Sequence, residues 1–375
     1  MTDQKPIRAI TLFDLLARAW PLGQPVTEMA FNAALSAVAC RLKDGRLALL
    51  PVADAEHPET RMRRELELGR TTIRPRKAPL PPPQLTDPLL APEAPGICPL
   101  GAQGFAVARG ADLWRVTARG QAVPALRGEA GEISALCAAG TARICLARGD
   151  RLELRAAEGL EAIATARLGA PVQQLAARPD GRGFAARDAE GVTLLSGDLG
   201  IEARIACPGG AAGLAWSPDG RWLAAGTRDR ALALVETGAH RAERIEGFPA
   251  PVASAGFSRG PTGALVASGG YRVIGWAGPD LPAAGHPGRP LETGRPGFVL
   301  VERVAVHPAR DLCAAGYASG LVTVATIGGR DELMLHEGTG AAVTALGWSA
   351  DGAHLAIGFA DGRAVIATFP KDMFK

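Results

Sequence analysis

Apolar runs of about four residues, separated by polar turns, recur along most of this chain, and the clearest example is 211–234, AAGLAWSPDGRWLAAGTRDRALAL. The first run ends at Trp216. Ser217, Pro218, Asp219 and Gly220 then supply turn chemistry: proline fixes φ, aspartate bonds its own backbone, and glycine accepts positive φ. A second run covers 222–225, a polar turn follows at 227–230, and a third run covers 231–234. Runs this short do not complete a stable helix, so the pattern predicts strands joined by tight turns.

This unit superposes without gaps on three others: 178–186 (RPDGRGFAA), 307–316 (HPARDLCAAG) and 349–358 (SADGAHLAIG). Anchored on Asp219, the equivalent positions are 180, 219, 309 and 351, and the wide interval before 309 holds a further copy at 251–276. A period of about forty residues with strand-turn-strand content predicts the blades of a β-propeller. Counted over 26–369, the units give eight blades, with seven as the alternative count. The expected fold is all-β, one closed propeller domain spanning 1–375. The last copy has only three runs, so the segment before Val26 is expected to add a strand to 364–369 and close the ring, which removes a sheet edge. A short helix is predicted over 11–19, with extended chain from Arg18.

The period breaks once, at 55–96. Between 61 and 77 this insertion carries Arg61, Arg63, Arg64, Arg70, Arg74, Arg76 and Lys77 against only Glu65 and Glu67. Because the whole chain is +3, the positive charge is local. Arginine pairs with carboxylates and phosphates. The proline run 79–83 holds extended chain of the kind binding modules recognise and cannot enter a central strand. Those seven basic residues are therefore the candidate partner-binding set, carried on the rim or one face of the disc, and blade packing is expected not to need the segment.

Composition adds little to this. Gly 47 and Pro 29 with 5% aromatics suit many turns and small side chains. The net charge is too weak to argue for nucleic acid, which is disfavoured further by the lack of aromatics among the arginines. Arginine far outnumbers lysine, which with the abundant alanine reads as a bacterial coding preference. No run of about eighteen apolar residues and no secretory pattern occurs, so no membrane association and a cytoplasmic location are expected. Six cysteines lie scattered without a CxxC pair and are read as reduced thiols.

With these residues in hand, the unit 211–234 resembles a WD-repeat propeller blade, and the similarity covers most of 26–369 in divergent copies. The resemblance implies four antiparallel strands per blade, the innermost lining a channel, and a His, Asp and Trp network locking each blade. Asp44, Asp229 and Asp361 occupy the turn aspartate, but the tryptophan position is Leu50, Val235 and Ala367. Only Trp276 stands where the family has tryptophan, and its own turn position is Gly270. The blades are therefore expected to hold by packing and strand pairing. A TolB-like propeller shares the WSPDG pattern at 216–220; the missing signal segment favours the WD-repeat reading.

The search for chemistry is negative. His307, His336 and His354 fall near the last two units without ligand spacing, so no metal is expected, and no cofactor motif, nucleophile elbow or P-loop occurs. Asp180, Asp219 and Asp351 stand beside Gly181, Gly220 and Gly352 and are read as structural turns rather than a ring of carboxylates. Trp216 and Trp348 are expected to pack between blades. The resemblance implies a monomeric, non-catalytic scaffold for one or more protein partners. The alternative is a propeller that binds or acts on a small ligand at its central channel.

Overall fold

A computed structural model describes residues 10–65, 70–128, 131–207, 211–227 and 229–374, and the side chains of 64, 65, 70, 71, 211 and 212 lie outside that description. The described residues form eight four-stranded antiparallel sheets and one two-stranded hairpin. Each sheet is a blade. The inner strands, from Val26–Phe31 in blade 1 through Cys98–Leu100, Ile133–Ala139, Gln174–Ala177, Ala211–Trp216, Ala255–Phe257 and Val301–Val306 to Val343–Trp348 in blade 8, pack neighbour against neighbour and complete the circle. Eight is therefore the blade count.

The ring closes between the two ends of the chain. Leu12–Leu16 is a short helix with a capping box between Thr11 and Asp14, and Ala17 already has extended backbone. The helix is thus shorter than the predicted 11–19, and Ala17–Pro21 pairs instead with Arg363–Thr368, Ala17 opposite Ala367 and Trp20 opposite Ala364. That strand is the outer strand of blade 8, as expected.

Strand faces explain the sequence pattern. In Ala37–Leu42 of blade 1, Val38, Cys40 and Leu42 pack toward blade 8, while Ala37 and Ala39 pack toward blade 2. Alternation sends side chains to opposite faces, but both faces are covered, so middle strands read as unbroken apolar runs. Small residues on one face let neighbouring blades approach, and each junction between blades carries its own apolar cluster.

Polar side chains add stitches between neighbours. Trp216 Nε1 donates to Ala176 O at 3.2 Å and Trp348 Nε1 to Ala305 O at 3.1 Å, each reaching the previous blade. In the turns, Asp180, Asp219 and Asp351 Oδ1 accept the main-chain N–H two residues on, at 2.9, 3.0 and 3.0 Å. Gly181, Gly220 and Gly352 have φ of 69, 69 and 72°. Asp44 and Asp361 pair with Arg46 and Arg363 in their own turns, and Asp229 with Arg244; among the described residues no tryptophan joins them.

Candidate functional site

The segment 55–96 does not simply interrupt the repeat. Blade 1 has three strands before it (Val26–Phe31, Ala37–Leu42, Leu47–Pro51), and its outer strand, Gln84–Leu85, comes from inside the segment. The two-residue strand is short, so Thr86 reinforces it: its N–H donates to Leu47 O at 2.9 Å and its Oγ1 accepts Leu47 N–H at 3.0 Å. The sequence reading missed this strand because two residues leave no periodicity.

Before that strand the chain makes a helical turn, Pro58–Arg61, and a hairpin pairing Met62–Glu65 with Arg70–Ile73. The hairpin lies over the closure seam. Ile73 packs against the blade 7–8 cluster that includes Leu16, Phe359 and Phe369, and Leu80 packs against the blade 8–1 cluster with Trp20. Trp20 Nε1 donates to Pro81 O at 2.8 Å. Arg61 is buried, and its guanidinium donates to Glu56 O, Arg74 O and Leu15 O at 2.9, 2.6 and 2.5 Å.

A second arginine completes the clasp. Arg18, on the closing strand and only 2% exposed, donates to Pro51 O, Val52 O and Ala53 O at 3.1, 2.7 and 2.9 Å. It stands 3.7 Å from Asp54, which also takes Arg76 at 2.5 Å. Burial pushes the Asp54 carboxyl up, but hydrogen bonds from Arg76 and the Glu56 main chain, with both guanidinium charges, hold it below its ordinary range. The segment therefore ties blade 1 to blade 8, and the expectation that packing does not need it gives way to these contacts.

The candidate basic residues divide accordingly. Arg61 and Arg76 face inward, one on carbonyls and the other on Asp54 and Glu56. Arg63, Arg74 and Lys77 are exposed. Arg63 sits opposite Thr72 on the hairpin face that points away from Met62 and Ile73. The side chains of Arg64 and Arg70 lie outside the described ones.

Elsewhere the titratable groups serve packing. His307 sets its ring edge-on to Trp348 at 5.0 Å, and His336 lies between Phe13 and Phe359 at 4.7 and 5.3 Å. His354 Nδ1 is 3.0 Å from Thr368 Oγ1. Burial depresses the basicity of all three. Among the described residues no three of His, Cys, Asp and Glu converge as a metal site. Burial pushes the Cys98 and Cys313 thiols up to about 12, which removes them as nucleophiles. In and beside the inner strands, Ser254, Arg303 and Glu28 are tied to the next blade: Ser254 Oγ accepts Val304 N–H, Arg303 Nε donates to Thr344 O, and Glu28 Oε1 accepts Ile97 N–H, at 2.7, 2.9 and 2.9 Å; Gln174 Oε1 is buried with no partner among the described residues. No helix is long and apolar enough to cross a membrane.

Residues 208–234 match the family described as WD domain, G-beta repeat. No curated protein matches the sequence. Among solved structures, the computationally designed Ika8 protein is similar over 93% of this chain and 98% of its own, at 15% identity and a TM-score of 0.61. The Cps50 (Swd1) β-propeller domain of Myceliophteria thermophila aligns over 95% of this chain and all of its own, at 15% identity and 0.55. A chain of the mitotic checkpoint complex aligns over 74% and 91%, at 14% and 0.56. Identities this low speak to fold alone.

Proposed function

We propose that this chain, a WD-repeat β-propeller of eight blades, is a non-catalytic scaffold that docks a protein partner on the hairpin over its closure seam. One observation carries the reading: Arg63, Arg74 and Lys77 are exposed on a segment whose base is immobilised by Arg61, Arg76 and Asp54. A docking surface held rigid loses less conformational entropy on binding than a free loop. Exposed cations on such a base suit a partner with an acidic patch, which steers encounter and fixes orientation. Support for a scaffold over channel chemistry comes from Ser254, Arg303 and Glu28, whose polar atoms are spent on the neighbouring main chain.

The test is a triple variant, Arg63→Ser with Arg74→Ser and Lys77→Ser, which leaves the inward anchors alone. Capture of a partner from the native host by the wild type, lost in the variant at an unchanged thermal midpoint, is the expected result. Equal capture by both proteins refutes docking on the hairpin. Activity toward a small molecule, abolished by substitution at the channel, refutes the scaffold reading.

A further inference from the structure

Residues 126–128 and 131, which lead from the outer strand of blade 2 to the inner strand of blade 3, meet the turn 148–151 between the second and third strands of blade 3 around a cleft of about 550 Å³. Five arginines line it, Arg127 from blade 2 and Arg148, Arg151, Arg155 and Arg167 from blade 3, against the carboxylates of Asp150 and Glu153. The register makes three of them a row. Arg148 is the partner of Arg151 across Arg143–Arg148 and Arg151–Ala156, and Arg151 is the partner of Arg167 across Ala162–Arg167. Directly opposite residues share a sheet face with Cβ atoms about 5 Å apart, and like charges so placed repel.

Among the described residues that line the cleft, the two carboxylates do not balance this row. Glu153, almost fully buried, takes Arg155 at 2.6 Å and is shared with Arg151 and Arg148 at 3.5 and 3.7 Å. Asp150 takes Arg167 at 3.2 Å. Arg148 is committed inward, donating to Ala111 O and Gly131 O at 2.6 and 2.9 Å. Burial lowers its basicity, and the charges of Arg155 and Arg151 lower it further against the pull of Glu153 and Asp112. At the mouth stand Arg151 and Arg167, with side chains 48 and 72% exposed, and the exposed Arg127 on the facing wall.

We infer that this cleft is a binding site for a phosphate monoester dianion, held between Arg151 and Arg167 on one wall and Arg127 on the other. Guanidinium forks match phosphate oxygens bidentately. A monoester carries about −1.5 to −2 charges at neutral pH, which offsets the repulsion along the row; a single carboxylate offsets less. The site is separate from the hairpin and does not depend on docking there. The dianion can be borne by a phosphoserine or phosphothreonine in a protein segment or by a small phosphorylated molecule; the chemistry is shared.

Isothermal titration of the full chain with inorganic phosphate, with a phosphoserine dodecapeptide, with its unphosphorylated form and with a single-stranded RNA oligomer separates the cases. The expected result is that phosphate, the phosphopeptide or both bind, that the unphosphorylated peptide does not, and that Arg151→Ser and Arg167→Ser each weaken binding about tenfold or more. Phosphopeptide without free phosphate assigns the dianion to a protein segment, and free phosphate alone assigns it to a small molecule. Both replaced side chains are solvent-facing, so the thermal midpoint is expected to hold, and Arg63→Ser, far from the cleft, should bind as wild type does. Absence of binding by either phosphate probe, binding insensitive to both substitutions, or preference for RNA overturns the inference.

Discussion

Arg18→Met tests whether the seam between the first and last blades is fastened by the clasp. Methionine keeps most of the side-chain volume of Arg18 but removes the donors to Pro51 O, Val52 O and Ala53 O and the neighbour of Asp54. Breaking a buried charged partnership by removing one member costs about 3–5 kcal/mol, a large part of the roughly 5–15 kcal/mol that holds a folded protein. Unfolding entropy of about 2.1 cal/mol/K per residue gives about 0.8 kcal/mol/K for a chain of this length, so the midpoint should fall by about 4–6 °C in differential scanning calorimetry.

The same substitution has a local signature. Amides of 364–367, which face the closing strand, should exchange faster, because opening the seam frees that strand before the other blades yield. Asp54→Asn supplies the coupling arm: if Arg18, Arg76 and Asp54 act as one network, the double variant loses less than the sum of the single losses. A midpoint within about 1 °C of wild type, or strictly additive losses, would refute the clasp.

Two further outcomes follow from the turns and the histidines. Gly352→Val should lower stability by at least about 1–2 kcal/mol, since φ is +72° and a Cβ there meets His307 Nε2 at 2.3 Å; a chemical-denaturation midpoint equal to wild type contradicts the turn assignment. The burial-depressed basicity of His307, His336 and His354 means the unfolded chain binds protons first, so their stabilising contribution is complete above about pH 6.5 and is lost as pH falls through their lower folded values. Thermal midpoints recorded from pH 7.5 to 5 should drop, and a flat profile over that range rules this out.

The repeat was legible because blades 4, 5 and 8 solve the same packing problem with the same residues: a turn Asp and Gly, then an apolar run covered on both faces, as at Trp222–Thr227 and His354–Phe359. Closure was legible too, since a missing fourth strand in a ring must come from the other terminus. The clasp was not. Arg18 and Asp54 are isolated charges in sequence, and their meaning arises only when closure brings residues 18 and 54 together. Arg61 and Arg76 looked like surface charge because composition records sign and not direction; the inward role of Arg61 depends on carbonyls contributed by Leu15, Glu56 and Arg74, and that of Arg76 on the carboxylates of Asp54 and Glu56. The row of Arg148, Arg151 and Arg167 was hidden in the same way, as it exists across strands rather than along one.

The placement of the two basic sites follows from where the ring departs from regularity. The inner strand of blade 2, Cys98–Leu100, has three residues where those of blades 1, 7 and 8 have six. A short inner strand carries fewer side chains into the junction, and the blade 2–3 junction is open on both sides of the disc, one mouth holding the arginine cleft and the other a cleft of about 810 Å³ beside Arg115 and Thr117. Blade 1 departs at its outer edge instead, where its fourth strand is two residues long and the chain between its third and fourth strands crosses to blade 8. The first irregularity opens a gap that charge can line; the second creates a projecting hairpin whose base must be fixed. Blade 6 also has three-residue strands, Ala255–Phe257 and Leu265–Ala267, so a short strand alone does not make a basic site; the two proposed sites are set apart by the charge that lines the departures at blades 1 and 2.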